Sequence, residues 1–189
     1  LATATEQLHQ ICKEINKTFE IICTFSVITT YLTLDIAINE NALEGSLIVM
    51  GTNGTDDLYQ LILGTNTFHV IKKTKCPVLM IPDGISFSPF DKLVFAWDYS
   101  ADSQLALTQL NSFISIYDRD LNFLHVNENK PPKNEDDYET HKKEIILHLN
   151  SHENLSFHHL PLENTETIAR KLDNYMIDLR ADLLISTYY

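Results

Sequence analysis

The sequence predicts an α/β fold built on parallel sheets, and three observations carry that expectation. Short apolar or β-branched runs alternate with helical-period segments of about 10–17 residues, the pattern of βαβ units. One run, Leu47-Ile-Val-Met50, is continuously apolar, as befits a strand buried on both faces of a parallel sheet. The alternation breaks at Asp83 to Phe90 (DGISFSPF), which holds Gly84 and Pro89 and reads as a linker, and it restarts beyond it.

The elements follow in order. Leu8, Ile11, Cys12, Ile15 and Phe19 fall at helical spacing and predict a helix over residues 3–18. Glu20–Ile28 is rich in β-branched and aromatic residues and reads as a strand. Thr29 or Thr30 can cap a helix striped by Leu34, Ile38 and Ala42, with Gly45 at the position of a C′ glycine. Ser46–Thr52 is the next strand. Thr65–Lys73 reads as a short helix with Phe68 and Ile71 inward and Lys72 and Lys73 placed favourably for the helix dipole. Cys76–Pro82 is a strand with proline at both margins, which suits a sheet edge.

Beyond the linker, Lys92–Trp97 is a strand closed by Asp98, and Ala101–Tyr117 is a helix with Leu105, Leu107, Leu110, Phe113, Ile114 and Tyr117 apolar. Leu121–Val126 is a strand, and residues 127–137, with Pro131-Pro132, form a loop. Tyr138–Leu149 is helical and Leu155–Leu162 is a strand. Asn164 is expected to cap a helix striped by Ile168, Leu172, Tyr175, Met176 and Leu179. Asp182–Ser186 is the last strand. In such a sheet, ligands bind beyond the carboxyl ends of the strands, where strand order reverses.

Composition narrows the partners. The 189 residues carry a formal net charge of −12 with pI ≈ 4.9. This acidity argues against nucleic acid or an anionic membrane as the main partner, and no apolar run reaches the ~20 residues of a bilayer span. It does not argue against a nucleotide, because backbone amides can hold phosphates in an acidic protein. Cys12, Cys23 and Cys76 show no CxxC or Cys/His zinc spacing and read as free thiols in a reducing, cytoplasmic setting rather than as a disulfide plus a remainder.

Three of the five glycines gather in one stretch. The strand ending at Gly51 and Thr52 is followed by Gly54 and then by Gly64-Thr65-Asn66, which open a helix. A strand end, a glycine-rich loop and a helix N-terminus together make an anion cradle, since free N–H groups and the helix dipole converge. A Walker-type loop is excluded because no Gly-Lys-Ser/Thr follows, and a dinucleotide GxGxxG is absent.

The string Gly51-x2-Gly54-x9-Gly64-Thr65, flanked by Ser46-Leu-Ile-Val-Met-Gly-Thr and Cys76-Pro-Val-Leu-Met-Ile-Pro82, resembles the nucleotide-binding loop of the universal stress protein family. The resemblance spans about residues 20–82. Leu93-Val-Phe-Ala-Trp-Asp98, followed by Ser100-Ala-Asp-Ser103, is similar to the opening of a second such domain. It implies a Rossmann-like adenine-nucleotide alpha hydrolase-type fold in two incomplete tandem units, residues 1–84 and 85–189, cut within both domains. It also implies a cytoplasmic stress sensor or switch that binds ATP or AMP, with Mg, and hydrolyses it slowly at most. Carried over, Asp98 and a backbone contact at Val126 would hold adenosine, while Gly51, Thr52, Gly54, Gly64, Thr65 and Asn66 would take phosphates. Family dimers pair through the last edge strand, so Cys76–Pro82 is expected to mediate self-association. The alternative is an interaction or dimerisation protein that keeps the fold and holds no nucleotide. Thr55-Asp56-Asp57 follow Gly54 where family loops often place Arg and Ser. Each carboxylate ~6–8 Å from a phosphate charge would cost about 2–3 kcal/mol at an effective dielectric of ~20, which magnesium can offset.

Blander roles stand beside these. Asp98 can equally cap the helix beginning near Ala101, and Trp97 reads as a core aromatic. His125, His158 and His159 lie on strands, and His158 and His159 point to opposite faces, which disfavours a shared metal. His141, His148 and His152 read as a polar helix face, and Glu135-Asp-Asp137 as solvated. No GxSxG elbow or Ser/His/Asp set supports nucleophilic catalysis.

Overall fold

The computed structural model describes residues 2–27, 46–52, 65–98, 101–114, 119–127, 135–149, 154–163 and 165–187. It divides into two compact units, Leu1–Leu43 and Glu44–Tyr189. Among the described residues, no helix is long and apolar enough to cross a membrane.

The first unit contains helix α1 (Ala2–Phe19), one residue longer at each end than its apolar spacing predicts. It ends at Glu20, whose φ of 52° lies in the left-handed region and turns the chain sharply. The strand expected at Glu20–Ile28 does not form: residues 20–27 are irregular. Ile22 is 95% exposed, and Ile21, Phe25 and Val27 are also exposed. A β-favouring sequence becomes a strand only when a neighbouring strand completes its ladder, and the described part of this unit contains none. The Asn16 side chain does that work for one residue, accepting from the Cys23 N–H and donating to the Cys23 carbonyl. The helix expected around Leu34, Ile38 and Ala42, with its caps at Thr29 or Thr30 and Gly45, lies outside the described residues.

Among the described residues, the second unit holds two sheets, both parallel. Strands β1 (Ile48–Thr52) and β2 (Val78–Pro82) pair in register Ile48↔Val78 through Thr52↔Pro82. Between them runs α2 (Thr65–Lys73). Its buried face differs from expectation: Thr67 and Val70 are buried, whereas Phe68 is exposed beneath the Lys72 ammonium, 4.8 Å from the ring centroid. The three-residue step from Thr67 to Val70 keeps both on one face, while Phe68, one position on, turns about 100° away and covers itself with a lysine stem and charge.

The larger sheet contains β3 (Lys92–Ala96), β4 (Asp120–Asn127), β5 (Leu155–Pro161) and β6 (Leu183–Ile185), in the order β5-β4-β3-β6. Helices α3 (Ala101–Ile114), α4 (Glu135–His148) and α5 (Ile168–Leu179) connect them. Alternate residues of β3 and β4 build the core: Leu93, Phe95 and Trp97 with Leu121 and Phe123, packed against Leu107 and Leu110 of α3 and against Ile145 and Leu149. Phe123 is the hinge of the aromatic cluster, stacked on Phe157 at 5.1 Å and tilted on Phe95 at 5.5 Å. Trp97 is therefore a core aromatic, as its position predicts. On the other face α5 lies over β3 and β4.

Caps and ties finish the sheet. Thr167, not Asn164, is the N-cap of α5: its hydroxyl accepts from the Arg170 N–H at 3.3 Å, and Asn164 lies outside the described residues. Threonine adjacent to the first helical residue wins because an N-cap oxygen must reach the N2 or N3 amide. The Asp182 carboxylate accepts from the N–H groups of both Asp91 and Lys92 at 2.9 Å, tying the start of β6 to the start of β3. Asp182 and Ser186, expected within the last strand, both fall outside β6, which is three residues long.

Candidate functional site

Strand order locates the site. From β3 the chain steps outward to β4 and β5, then returns to the opposite side of β3 as β6. The crevice between the carboxyl ends of β3 and β6 is where the connections diverge and leave a ligand-sized opening in sheets of this kind.

Asp98 stands there, two residues past the end of β3, with its side chain exposed. One carboxylate oxygen accepts from the Ser103 hydroxyl in the first turn of α3. Ser103 is fully buried, and its hydroxyl also lies 3.5 Å from that of Thr187, just beyond β6. The three side chains bridge the switch point from one strand end to the other. Ser103 belongs to the small-residue start of α3 and is the partner that sequence reasoning left without a role; its spacing of five residues after Asp98 is the available signal.

Val126, half-buried, is near the end of β4. The β3–β4 register pairs Ala96 with Leu124, so its continuation by two residues sets Asp98 level with Val126. The Trp97 N–H donates to the Leu124 carbonyl at 2.8 Å, which carries the pairing one step past the strand. The two positions expected to hold adenosine thus share one rim of one sheet.

His125 completes this rim. Its Nδ1 lies 2.7 Å from the Trp97 carbonyl, so Nδ1 carries the proton and donates. Burial lowers its pKa below the ordinary 6.5 and is countered only in part by that bond and by the Asp98 charge. The neutral ring stacks on His159 at 5.2 Å, its register partner on β5. His158 faces the other way, against Tyr175 of α5 at 5.5 Å, as strand alternation requires. Among the described residues, no group of three or more His, Cys, Asp or Glu side chains is placed to hold a metal. His141 pairs with Glu144, and His148 bonds to the Glu144 carbonyl, so both have local roles on α4; His152 lies outside the described residues.

The glycine-loop residues are elsewhere. Gly51 and Thr52 are the last two residues of β1, in the two-stranded sheet. Gly51 is extended and paired with Ile81, and a Cβ built on it would meet nothing within 4 Å. Among the described residues, therefore, nothing imposes a steric demand for glycine at this position. Thr52 is buried, and Thr65 and Asn66 form the first turn of α2. Gly54 and Gly64 lie outside the described residues, as do Thr55, Asp56 and Asp57. The expected residues accordingly fall into two groups at the carboxyl ends of strands in two different sheets, with Asp98 and Val126 in one and Gly51 and Thr52 in the other.

Comparison with known proteins adds to this geometry. Residues 34–82 match the Universal stress protein family. That stretch contains the whole glycine string and both strands of the smaller sheet, about a quarter of the chain. Across 96% of the chain, the structure is similar to a universal stress protein from Archaeoglobus fulgidus DSM 4304, with a TM-score of 0.65 at 18% sequence identity. The chain therefore has the parallel-sheet α/β fold of a universal stress protein, and it spans 65% of that relative's length. Protein Rv1636 from Mycobacterium tuberculosis H37Rv aligns over 55% of the chain and 75% of its own, with a TM-score of 0.38 and 16% identity. A search among curated proteins returned no match.

Proposed function

We propose that the chain is a universal stress protein of the adenine-nucleotide-binding type, with two tandem units of the fold, residues 1–84 and 85–189, and that it serves as a cytoplasmic stress sensor or switch. The observation that carries this reading is the exposed Asp98 carboxylate at the topological switch point, backed by buried Ser103. A carboxylate held there accepts two hydrogen bonds from ribose hydroxyls with little reorganisation, while the backbone near Val126 offers peptide groups level with it. The phosphates would lie against the glycine string of Gly51, Thr52, Gly54, Gly64, Thr65 and Asn66 in a site of the other unit's kind. Magnesium would arrive on the phosphates of ATP or AMP, since the described side chains offer no cluster of three metal ligands. On this reading hydrolysis is slow at most, and the nucleotide acts as a signal rather than as a substrate.

Isothermal titration of the chain with ATP and magnesium tests this. Saturable heat with a matching rise in thermal midpoint is expected; neither at millimolar nucleotide would refute it.

A second reading is favoured by the smaller sheet. Two parallel strands alone are marginal in water, and β2 borders no strand other than β1 among the described residues. Self-association through the outer edge of Cys76–Pro82 would extend this sheet, with or without nucleotide. Light scattering that shows a strict monomer at high concentration would refute it.

A further inference from the structure

We propose that Cys12 and Cys23 form a redox-active dithiol that a peroxide converts to an intramolecular disulfide. The two sulfurs lie 3.3 Å apart, within the unit Leu1–Leu43 and apart from the nucleotide reading, on which this inference does not depend. Cys12 is buried on α1 and Cys23 is half-exposed on the irregular segment that follows.

The approach is built into the chain. The Asn16 carboxamide holds both backbone groups of Cys23, donating to its carbonyl at 3.1 Å and accepting from its N–H. Asn16 stands four residues after Cys12, one helical turn along α1, so the clamp and the first thiol share a helix face. A second tie follows two residues later, where Phe25 meets His9 edge-on at 6.2 Å. The segment carries no strand ladder, and its exposed Ile22 shows that apolar burial does not hold it there. What these contacts achieve is the placement of one sulfur against the other.

The pair divides the chemistry. Cys12 is buried and pushed above its ordinary thiol pKa, first by its hydrogen bond with Cys23 and then by burial, whereas Cys23 is half-exposed and is the sulfur that a peroxide reaches first. The Cys23 sulfur attacks one oxygen of hydrogen peroxide, the O–O bond breaks, and the leaving hydroxide takes up a proton to become water. Cys23 is then a sulfenic acid. The Cys12 sulfur attacks it, the S–O bond breaks, and a second water leaves with the Cys12 proton as the S–S bond forms. Two thiols lose two electrons and the peroxide gains them. In a reducing compartment a disulfide of this sort is transient and returns to thiols by exchange. Cys76, whose sulfur sits 2.9 Å from the Thr74 hydroxyl, is the internal control.

The test treats the chain with hydrogen peroxide, alkylates the remaining thiols and maps the digest by mass spectrometry. The expected result is a Cys12–Cys23 cross-linked peptide two hydrogens lighter than the thiol pair, with Cys76 alkylated and dithiothreitol restoring all three thiols. Cross-links that run through Cys76 or between chains, or three alkylatable thiols after treatment, overturn the proposal. Asn16→Ala, which removes two side-chain-to-backbone hydrogen bonds, should slow disulfide formation about tenfold while leaving the thiols' reaction with iodoacetamide in denaturant unchanged. An unchanged oxidation rate in that variant would overturn the clamp.

Discussion

Replacing Gly51 separates a structural glycine from a ligand-facing one. The residue is extended, exposed and paired with Ile81 in β1, and an added Cβ would touch nothing within 4 Å. Alanine fits there and reduces the freedom of the unfolded chain, so Gly51→Ala should stabilise the protein by about 0.5–1 kcal/mol. Valine adds β-propensity on a scale that spans about 1 kcal/mol. For a chain of this size each kcal/mol raises the thermal midpoint by about 2–4 °C. Nucleotide affinity should move the opposite way. If phosphates pass over Gly51, the new side chain occupies their path, and affinity should fall at least tenfold, about 1.4 kcal/mol. Guanidinium unfolding and calorimetry with magnesium and ATP on Gly51→Ala and Gly51→Val measure both arms. A loss of stability in the unliganded alanine variant would refute the open geometry at this position. A more stable variant that binds ATP as well as the parent would remove Gly51 from the site.

The other perturbations act on the larger sheet. Asp98→Ala removes a charged acceptor from the switch point and should weaken ATP binding about tenfold or more by calorimetry, the scale of hydrogen bonds to a charged group. Phe123→Ala empties a buried site lined by Phe157 and Phe95 and should cost about 3–5 kcal/mol in chemical denaturation. His125 has a folded pKa below its ordinary 6.5, so on acidification the unfolded chain takes up the proton first. Its contribution to stability is whole above pH 6.5 and is lost as pH falls toward the folded value, and His125→Gln, which can still donate to the Trp97 carbonyl, should flatten that slope in unfolding free energies measured across this range. Thr167→Ala removes the α5 cap and should cost about 1 kcal/mol in the same assay.

Where a segment carries its own physical cause, the sequence made it legible. Lys92–Ala96 and Asp120–Asn127 are β-rich runs bounded by polar residues, and both are strands within a residue or two of expectation. The helix at Thr65–Lys73 matches to the residue. Periodicity failed where the outcome depended on a distant partner. Glu20–Ile28 has strand composition, yet residues 20–27 form no ladder, and the backbone of Cys23 pairs with the Asn16 side chain instead. Phe68 reads as a core residue by type, yet the helix buries Thr67 and Val70, because rotation about the helix axis is set by what the helix packs on. Asn164 and Thr167 are both capping types, and only the backbone geometry at Thr167 chooses between them. At the candidate site, the family resemblance points to Asp98 and Val126, whereas the contacts of Ser103, Thr187 and His125 are visible only in the fold, since each is made to a residue on another strand or helix.

Local grammar therefore determined the fold class. Alternating strand-like and helix-like periods leave apolar faces that helix-covered parallel sheets bury. Tertiary structure alone decided which ends meet. It brought Asp98, Ser103 and Thr187 across 89 residues of chain to one crevice, set Gly51 and Thr52 in a different sheet, and put two thiols 11 residues apart in contact. Spacing along a chain reports periodicity within one element. Which carboxylate meets which hydroxyl depends on strand order and register, and these are settled only when the whole sheet assembles.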